Sequence, residues 1–207
     1  MMKLASFLRH RRGTTGAEFA MVLPIALAFL LGIIDVGNYA YTLNKYEKAT
    51  QMGTRFAAVT DVVAEGLLTE DYIGNTSCNG GVALAASQTI CKEALSKVTC
   101  GSTGNCTCTG NCPADLSRDD VAFDAIVTRM QAMAPLITEA QVKVSYEGSG
   151  LGYAGDPDKP EIAPITTIAI ENATYTPIVL SPFGGTVPFP DFRYSLTLED
   201  GEGAESN

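Results

Sequence analysis

No charged residue stands between Glu18 and Asp35. The stretch AEFAMVLPIALAFLLGII, residues 17–34, reads as one helix, and at about 1.5 Å per residue it covers about 27 Å, close to the ~30 Å hydrocarbon core of a bilayer. Ahead of it lie Lys3, Arg9, Arg11 and Arg12, and no acidic residue precedes Glu18. Basic residues beside a first apolar segment hold their end in the cytoplasm. A single pass is therefore expected, N-terminus in, with the C-terminal remainder on the other side. Glu18 is the anomaly in this pattern, because a carboxylate in apolar surroundings is costly unless it is paired.

Two plainer readings compete. A secretory signal would be cut at the small-x-small site Ala26-Leu27-Ala28, which puts Glu18 inside the apolar region and leaves apolar sequence running past the cut to Ile34. An uncleaved anchor would only need Glu18 to lie at the membrane interface. Pro24 removes one backbone hydrogen bond and crowds the preceding turn, so a kink or local unwinding is expected there. Such breaks are tolerated where neighbouring helices or water satisfy the freed carbonyl.

The helical period continues beyond Asp35. Leu43, Tyr46, Thr50, Gly53, Ala57, Thr60, Ala64 and Leu67 follow steps of three and four, while Lys45, Glu47, Lys48, Arg55, Asp61 and Glu65 lie mostly off that stripe. With no proline between Pro24 and Pro113, one helix over residues 14–68 is the simplest expectation, spanning lipid in its first half. Gly32, Gly37, Gly53 and Gly66 weaken it, yet small residues permit close helix approach.

The leader charges, Gly13, the TTGA that follows, Glu18-Phe19, Leu23-Pro24 and the Gly-Ile-Ile-Asp stretch ending at Asp35 occur in an order that resembles the TadE-like minor pilins (pseudopilins) of the tight-adherence (Tad/Flp) type IV pilus system. The resemblance covers about residues 11–58. It implies that a prepilin peptidase cuts between Gly13 and Thr14, removing a cytoplasmic leader, 1–13, and making Glu18 the fifth residue of the mature chain and Phe19 the sixth. It also implies that the new amine of Thr14 pairs with Glu18 between subunits, with Phe19 beside it, during assembly. Partners would be other pilin-like subunits and the inner-membrane pilus assembly machinery. A charge near a helix N-terminus is also favoured by the macrodipole, by about 0.3–1 kcal/mol, so simple capping is the alternative use of Glu18.

A head is expected over 69–198, with a cysteine-rich insertion, 74–113. Cys78, Cys91, Cys100, Cys106, Cys108 and Cys112 read as a disulfide framework on the non-cytoplasmic side, of unknown pairing. Cys106 and Cys108 are not expected to join, since one intervening residue closes a strained ring. The repeat TGNC, at 103–106 and 109–112, suggests two similar turns. Zinc is disfavoured because Cys-x2-Cys pairs are missing and the single histidine, His10, lies in the leader. Without a later histidine, Ser-His-Asp and Cys-His catalysis are out of reach. No metal, no cofactor and no enzymatic activity are expected. Asp156, Asp158 and Glu161 read as a solvated turn, with Ca2+ as the sharper alternative. The net charge of -9, with the basic residues scattered beyond the leader, argues against nucleic acid.

A helix capped by Ser117 and stopped by Pro135 is expected from SRDDVAFDAIVTRMQAMAP. AQVKVSYEG, ITTIAIENATYTPIV and DFRYSLTLED are β-rich, Val142, Val144 and Tyr146 alternating with Lys143 and Ser145. TPIVLSPFGGTVPFP, apolar and rich in Pro and Gly, suits a loop covering the sheet, or else a contact surface. The last residues, 199–207, form an acidic tail expected to be disordered. The fold expected is α+β: a long N-terminal transmembrane helix, then a small antiparallel sheet with one or two helices and a disulfide-rich insertion. The implied function is a structural minor pilin-like subunit that initiates, tips or supports a pilus used for surface adherence. It would sit in the inner membrane with its head periplasmic or surface-exposed. The competing function is an unprocessed envelope protein whose disulfide-stapled ectodomain binds a ligand or partner.

Overall fold

The computed structural model describes residues 14–157 and 160–199. The leader 1–13, Asp158 and nearly all of the tail 199–207 lie outside the described residues. Helix α1 runs Thr14–Ala57, and α2, Gly66–Thr69, is one turn. Helix α3, Asp120–Gln131, completes the α-helices described. The strands are β1 (Val98–Cys100), β2 (Thr107–Cys108), β3 (Val142–Glu147), β4 (Ile165–Ile170), β5 (Thr174–Tyr175), β6 (Val187–Pro188) and β7 (Phe192–Thr197). By internal contacts the described residues divide into two units, 14–41 with 174–187, and 42–173 with 188–199.

Helix α1 stops at Ala57, short of the residue 68 that periodicity suggests. Val59, Thr60, Val62 and Val63 are β-branched and lose side-chain freedom in a helix. Their segment bonds elsewhere instead: Val63 N donates to the Tyr146 hydroxyl at 2.9 Å, and Asp119 N donates to Val63 O at 2.8 Å. Tertiary partners overrule the local period, although Thr60, Ala64 and Leu67 are buried as the stripe requires.

The larger unit is an α+β fold on one antiparallel sheet of order β2-β1-β3-β4-β7. Pairing Val144 with Ile168 and Ile168 with Tyr194 sets the register, and the same register puts Val142 beside Ile170 and Ile170 beside Phe192. Because side chains alternate across a strand, Val142, Val144 and Tyr146 face one side together, and all three are fully buried. The C-terminal part of α1 packs by its small residues. Ala49, Gly53 and Ala57 are buried, and a Cβ added at Gly53 would lie 2.6 Å from Met130 Cγ and 3.3 Å from Ile168 Cδ1. Glycine there lets the helix backbone approach α3 and the sheet. Thr54 Oγ1 donates to Tyr194 O of β7 at 3.1 Å, and the Tyr46 ring meets Phe189 edge-on with centroids 5.3 Å apart.

Helix α3 starts two residues later than Ser117 predicts. Asp119 is the cap, its carboxylate accepting from Ala122 N at 2.9 Å, while the Ser117 hydroxyl bonds to Glu65 and Asp115. Its buried face is Phe123, Ile126, Val127 and Met130, and it ends at Gln131, before Pro135.

The cysteine-rich stretch is part of the sheet and not a loop stapled beside it. Hairpin β1–β2 pairs Val98 with Cys108 and Thr99 with Thr107, and β1 joins β3. The bridges are Cys78–Cys91, Cys100–Cys106 and Cys108–Cys112. Each joins neighbours in the cysteine order, Cys106 and Cys108 stay unlinked to each other, and no free cysteine is found among the described residues. Loop-closure entropy assigns about 3 kcal/mol to the widest loop, 13 residues apart, and about 2 kcal/mol to the narrowest, 4 apart. Replacing Cys78 and Cys91 together by Ser should therefore lower the thermal midpoint more than replacing Cys108 and Cys112 together, as calorimetry under non-reducing conditions would show. An equal or reversed effect would remove the loop-size account.

Two buried tyrosines make opposite demands. The Tyr146 hydroxyl accepts from Val63 N, whereas the Tyr72 hydroxyl is buried with no hydrogen-bond partner among the described residues. Tyr146→Phe strands a buried amide and should cost about 1–3 kcal/mol; Tyr72→Phe should cost nothing or stabilise, as paired denaturant titrations would resolve. Burial pushes both phenols up, and nearby acids add to the effect. A raised folded-state value means that stability is intact below the ordinary phenol value of about 10 and is lost as pH climbs toward the raised values. Alkaline unfolding should thus begin above about pH 10 and shift in Tyr72→Phe.

Candidate functional site

The part of the chain that carries the sequence signals is the smaller unit, α1 up to Tyr41 with the loop of residues 174–187. Helix α1 is long and apolar enough to cross a membrane, and only 6% of its most apolar window is buried within the protein. Phe19, Met21, Ile25, Phe29, Ile33 and Val36 are all at least half exposed. Apolar side chains exposed around the whole circumference are stable only in lipid or against other apolar helices.

Of the residues singled out for processing, Gly13 lies outside the described residues and Thr14 is the first residue of α1. Glu18 and Phe19 are exposed. Among the described residues no acidic residue occupies the first turn of α1. Thr14 and Glu18 are four residues apart along α1. The helix continues through Pro24. The missing proline N–H leaves the Ala20 carbonyl without its usual donor inside an otherwise regular helix.

Asp35, read from the sequence as the end of the apolar run and of the Gly-Ile-Ile-Asp stretch, is a structural centre. It is 7% exposed. Its carboxylate accepts from Ile178 N at 2.7 Å and Val179 N at 2.9 Å, one oxygen to each amide, and the Tyr175 hydroxyl lies 3.3 Å from its main-chain oxygen. The Tyr175 ring meets Tyr39 edge-on, with centroids 5.6 Å apart at 77°. Burial and the adjacent Asp35 charge push the Tyr175 phenol up. Hydrogen bonds to an ionised group are worth about 1.5–3 kcal/mol each. The loop is thereby clasped to the helix. No local pattern signals this, because acid and amides are 143 and 144 residues apart.

Residues 174–187 of the segment expected to cover the sheet group instead with the N-terminal helix. Among them Ile178, Leu180 and Phe183 are exposed, Phe183 at 85%, in keeping with the contact-surface alternative. Glu161, weighed as a Ca2+ ligand, is turned inward. It is 3% exposed, and its Oε2 accepts from Tyr72 N at 3.0 Å and Gly155 N at 3.1 Å. That acid holds two backbone segments together.

The family model described as TadE-like protein matches residues 13–55. Over that segment the chain is similar to the TadE-like family. No curated protein and no solved structure matches it. The TadE-like match starts at Gly13 and runs through Glu18, Asp35 and nearly all of α1.

Asp35→Ala should free the loop, because two amides lose their acceptor. Hydrogen exchange at Ile178 and Val179 should rise at least tenfold, the ratio that about 1.4 kcal/mol of lost protection gives. Exchange in β3 and β4 should stay as it is; unchanged exchange at the two amides would dismiss the clasp.

Proposed function

We propose that this chain is a minor pilin-like structural subunit of a Tad/Flp pilus. It is inserted in the inner membrane by α1 with its N-terminus cytoplasmic, cut by prepilin peptidase after Gly13, and built into the assembly through that helix. The observation that carries this reading is the TadE-like match over residues 13–55, which coincides with a helix whose apolar surface is unpartnered within the protein. A subunit that acts by helix packing needs such a surface. A cut after Gly13 would create an ammonium at Thr14, and that ammonium and the Glu18 carboxylate would both be costly in an apolar bundle unless paired. Residues 14 and 18 are about one helical turn apart, so a neighbouring subunit would meet both charges close together. The sheet-bearing unit, with its three bridges, suits an oxidising compartment outside the cytoplasm. The role is structural and not enzymatic, with partners among other pilin-like subunits and the assembly machinery. It starts, tips or supports a filament that adheres to surfaces.

Two measurements test this reading. The N-terminus of the protein purified from membranes should be Thr14; Phe29 would mean a secreted protein and Met1 or Met2 an uncleaved anchor. Glu18→Ala should leave synthesis, insertion and cleavage unchanged and lower recovery in sheared pili at least tenfold, the loss that about 1.4 kcal/mol of pairing energy corresponds to. Normal recovery would end the pairing idea.

A further inference from the structure

The loop 177–185 has features of a segment built for the membrane boundary. No charged residue occurs between Glu171 and Asp191. Its exposed side chains include Ile178, Leu180 and Phe183. An apolar segment can enter the headgroup and acyl boundary only if its backbone polar groups are already bonded, because each bare one costs several kcal/mol there. Here Ser181 N donates to Pro177 O at 2.8 Å, Phe183 N to Leu180 O at 3.0 Å, and Gly184 N to Ser181 O and Gly185 N to Leu180 O, both at 3.1 Å. Pro182 has no N–H, and Ile178 and Val179 give theirs to Asp35. Six of the seven backbone N–H groups of residues 177–185 are thus bonded, four within the loop and two to the Asp35 carboxylate.

The level at which that carboxylate sits is set by α1. Asp35 is the first charged residue after the apolar run that begins past Glu18, so in a spanning helix it marks the point where hydrocarbon gives way to headgroups. Tyr39 and Tyr175 pair just beyond it, and tyrosine is enriched at that level because its ring is apolar and its hydroxyl polar.

We propose that the loop 177–185 is a lipid-facing anchor. Asp35 clasps it to α1 at the end of the span, and Ile178, Leu180 and Phe183 enter the bilayer interface on the face where the helix leaves the membrane. The proposal rests on the reading of α1 as membrane-spanning. Lipid is favoured over a protein partner because the loop offers no charged group and few free backbone donors for specific recognition, and because it is fastened to the helix at the depth where lipid is met.

The chain contains no tryptophan, so a single one reports its own surroundings. Phe183→Trp and, as a reference within the span, Phe29→Trp would be placed in the full-length protein and reconstituted in phosphatidylethanolamine/phosphatidylglycerol vesicles, with and without lipid brominated on the acyl chain. The expected result is that brominated lipid roughly halves the emission of both, as burial of the loop to about 5–10 Å requires, with little quenching by aqueous iodide. Adding Asp35→Ala to Phe183→Trp should abolish most of its bromolipid quenching and restore iodide quenching. If Phe29→Trp is quenched by brominated lipid and Phe183→Trp is not, the anchor is overturned while the spanning helix stands; blue-shifted but unquenched emission from Phe183→Trp would point to a protein partner and also overturn it. If neither is quenched by lipid, the spanning reading itself fails.

Discussion

One continuous helix, Thr14–Ala57, has to be stable in two environments, and the composition of α1 changes along its length to meet them. Up to Val36 large apolar side chains point outward on all sides. From Tyr46 onward the buried residues shrink to Ala49, Thr50, Gly53, Thr54 and Ala57, the set that lets a helix backbone approach Met130 and Ile168. The glycine and threonines in that set cost helix propensity, about 1 kcal/mol for the glycine relative to alanine. Tertiary packing offsets that cost, since most helical stability in proteins comes from the buried face. Three strands of the sheet meet this part of the chain. β4 presents Ile168 to the helix, β7 presents the Tyr194 carbonyl to Thr54, and β3 supplies the Tyr146 hydroxyl that takes over the chain where the helix stops.

Much of this was readable from local pattern. The period of three and four from Leu43 to Leu67 foretold which residues of α1 and its continuation would be buried, and the alternation of Val142, Val144 and Tyr146 foretold the inward face of β3. These signals are legible because one element's geometry fixes them. The end of α1 was not, since Val63 leaves the helix for a hydroxyl 83 residues away. Strands β1 and β2 were hidden in a stretch that reads as turns and bridges, with only Val98, Thr99 and Thr107 as β-branched hints. Disulfide pairing is likewise a property of the fold: Cys100 and Cys106 close the loop between the two strands of a hairpin that the cysteine count alone does not reveal.

The carboxylates divide along the same line. Asp35 and Glu161 look alike in sequence to any surface acid, yet each is buried and each accepts two backbone amides from a distant segment or a nearby turn. A carboxylate has about four lone-pair sites and no donor of its own, so it suits loops whose amides find no strand or helix partner. Sequence reading assigned Asp35 to a boundary and weighed Glu161 as a cation ligand, because the donors that claim them come from residues far along the chain or from the turn itself. The structure gives both acids fold-holding roles.

Glu18 is the contrast that gives those two acids their meaning. It too lies at an edge of the apolar run, but it is exposed. An acid that a protein uses for its own folding is drawn inward to donors, as Asp35 is. An acid left outward among apolar side chains such as Phe19 and Met21 carries a desolvation cost wherever those side chains are covered. Only a group that arrives with the covering surface can offset that cost. On the proposed reading that group is an amine at Thr14, so the same apolar surface that demands a neighbour also selects one that brings a positive charge.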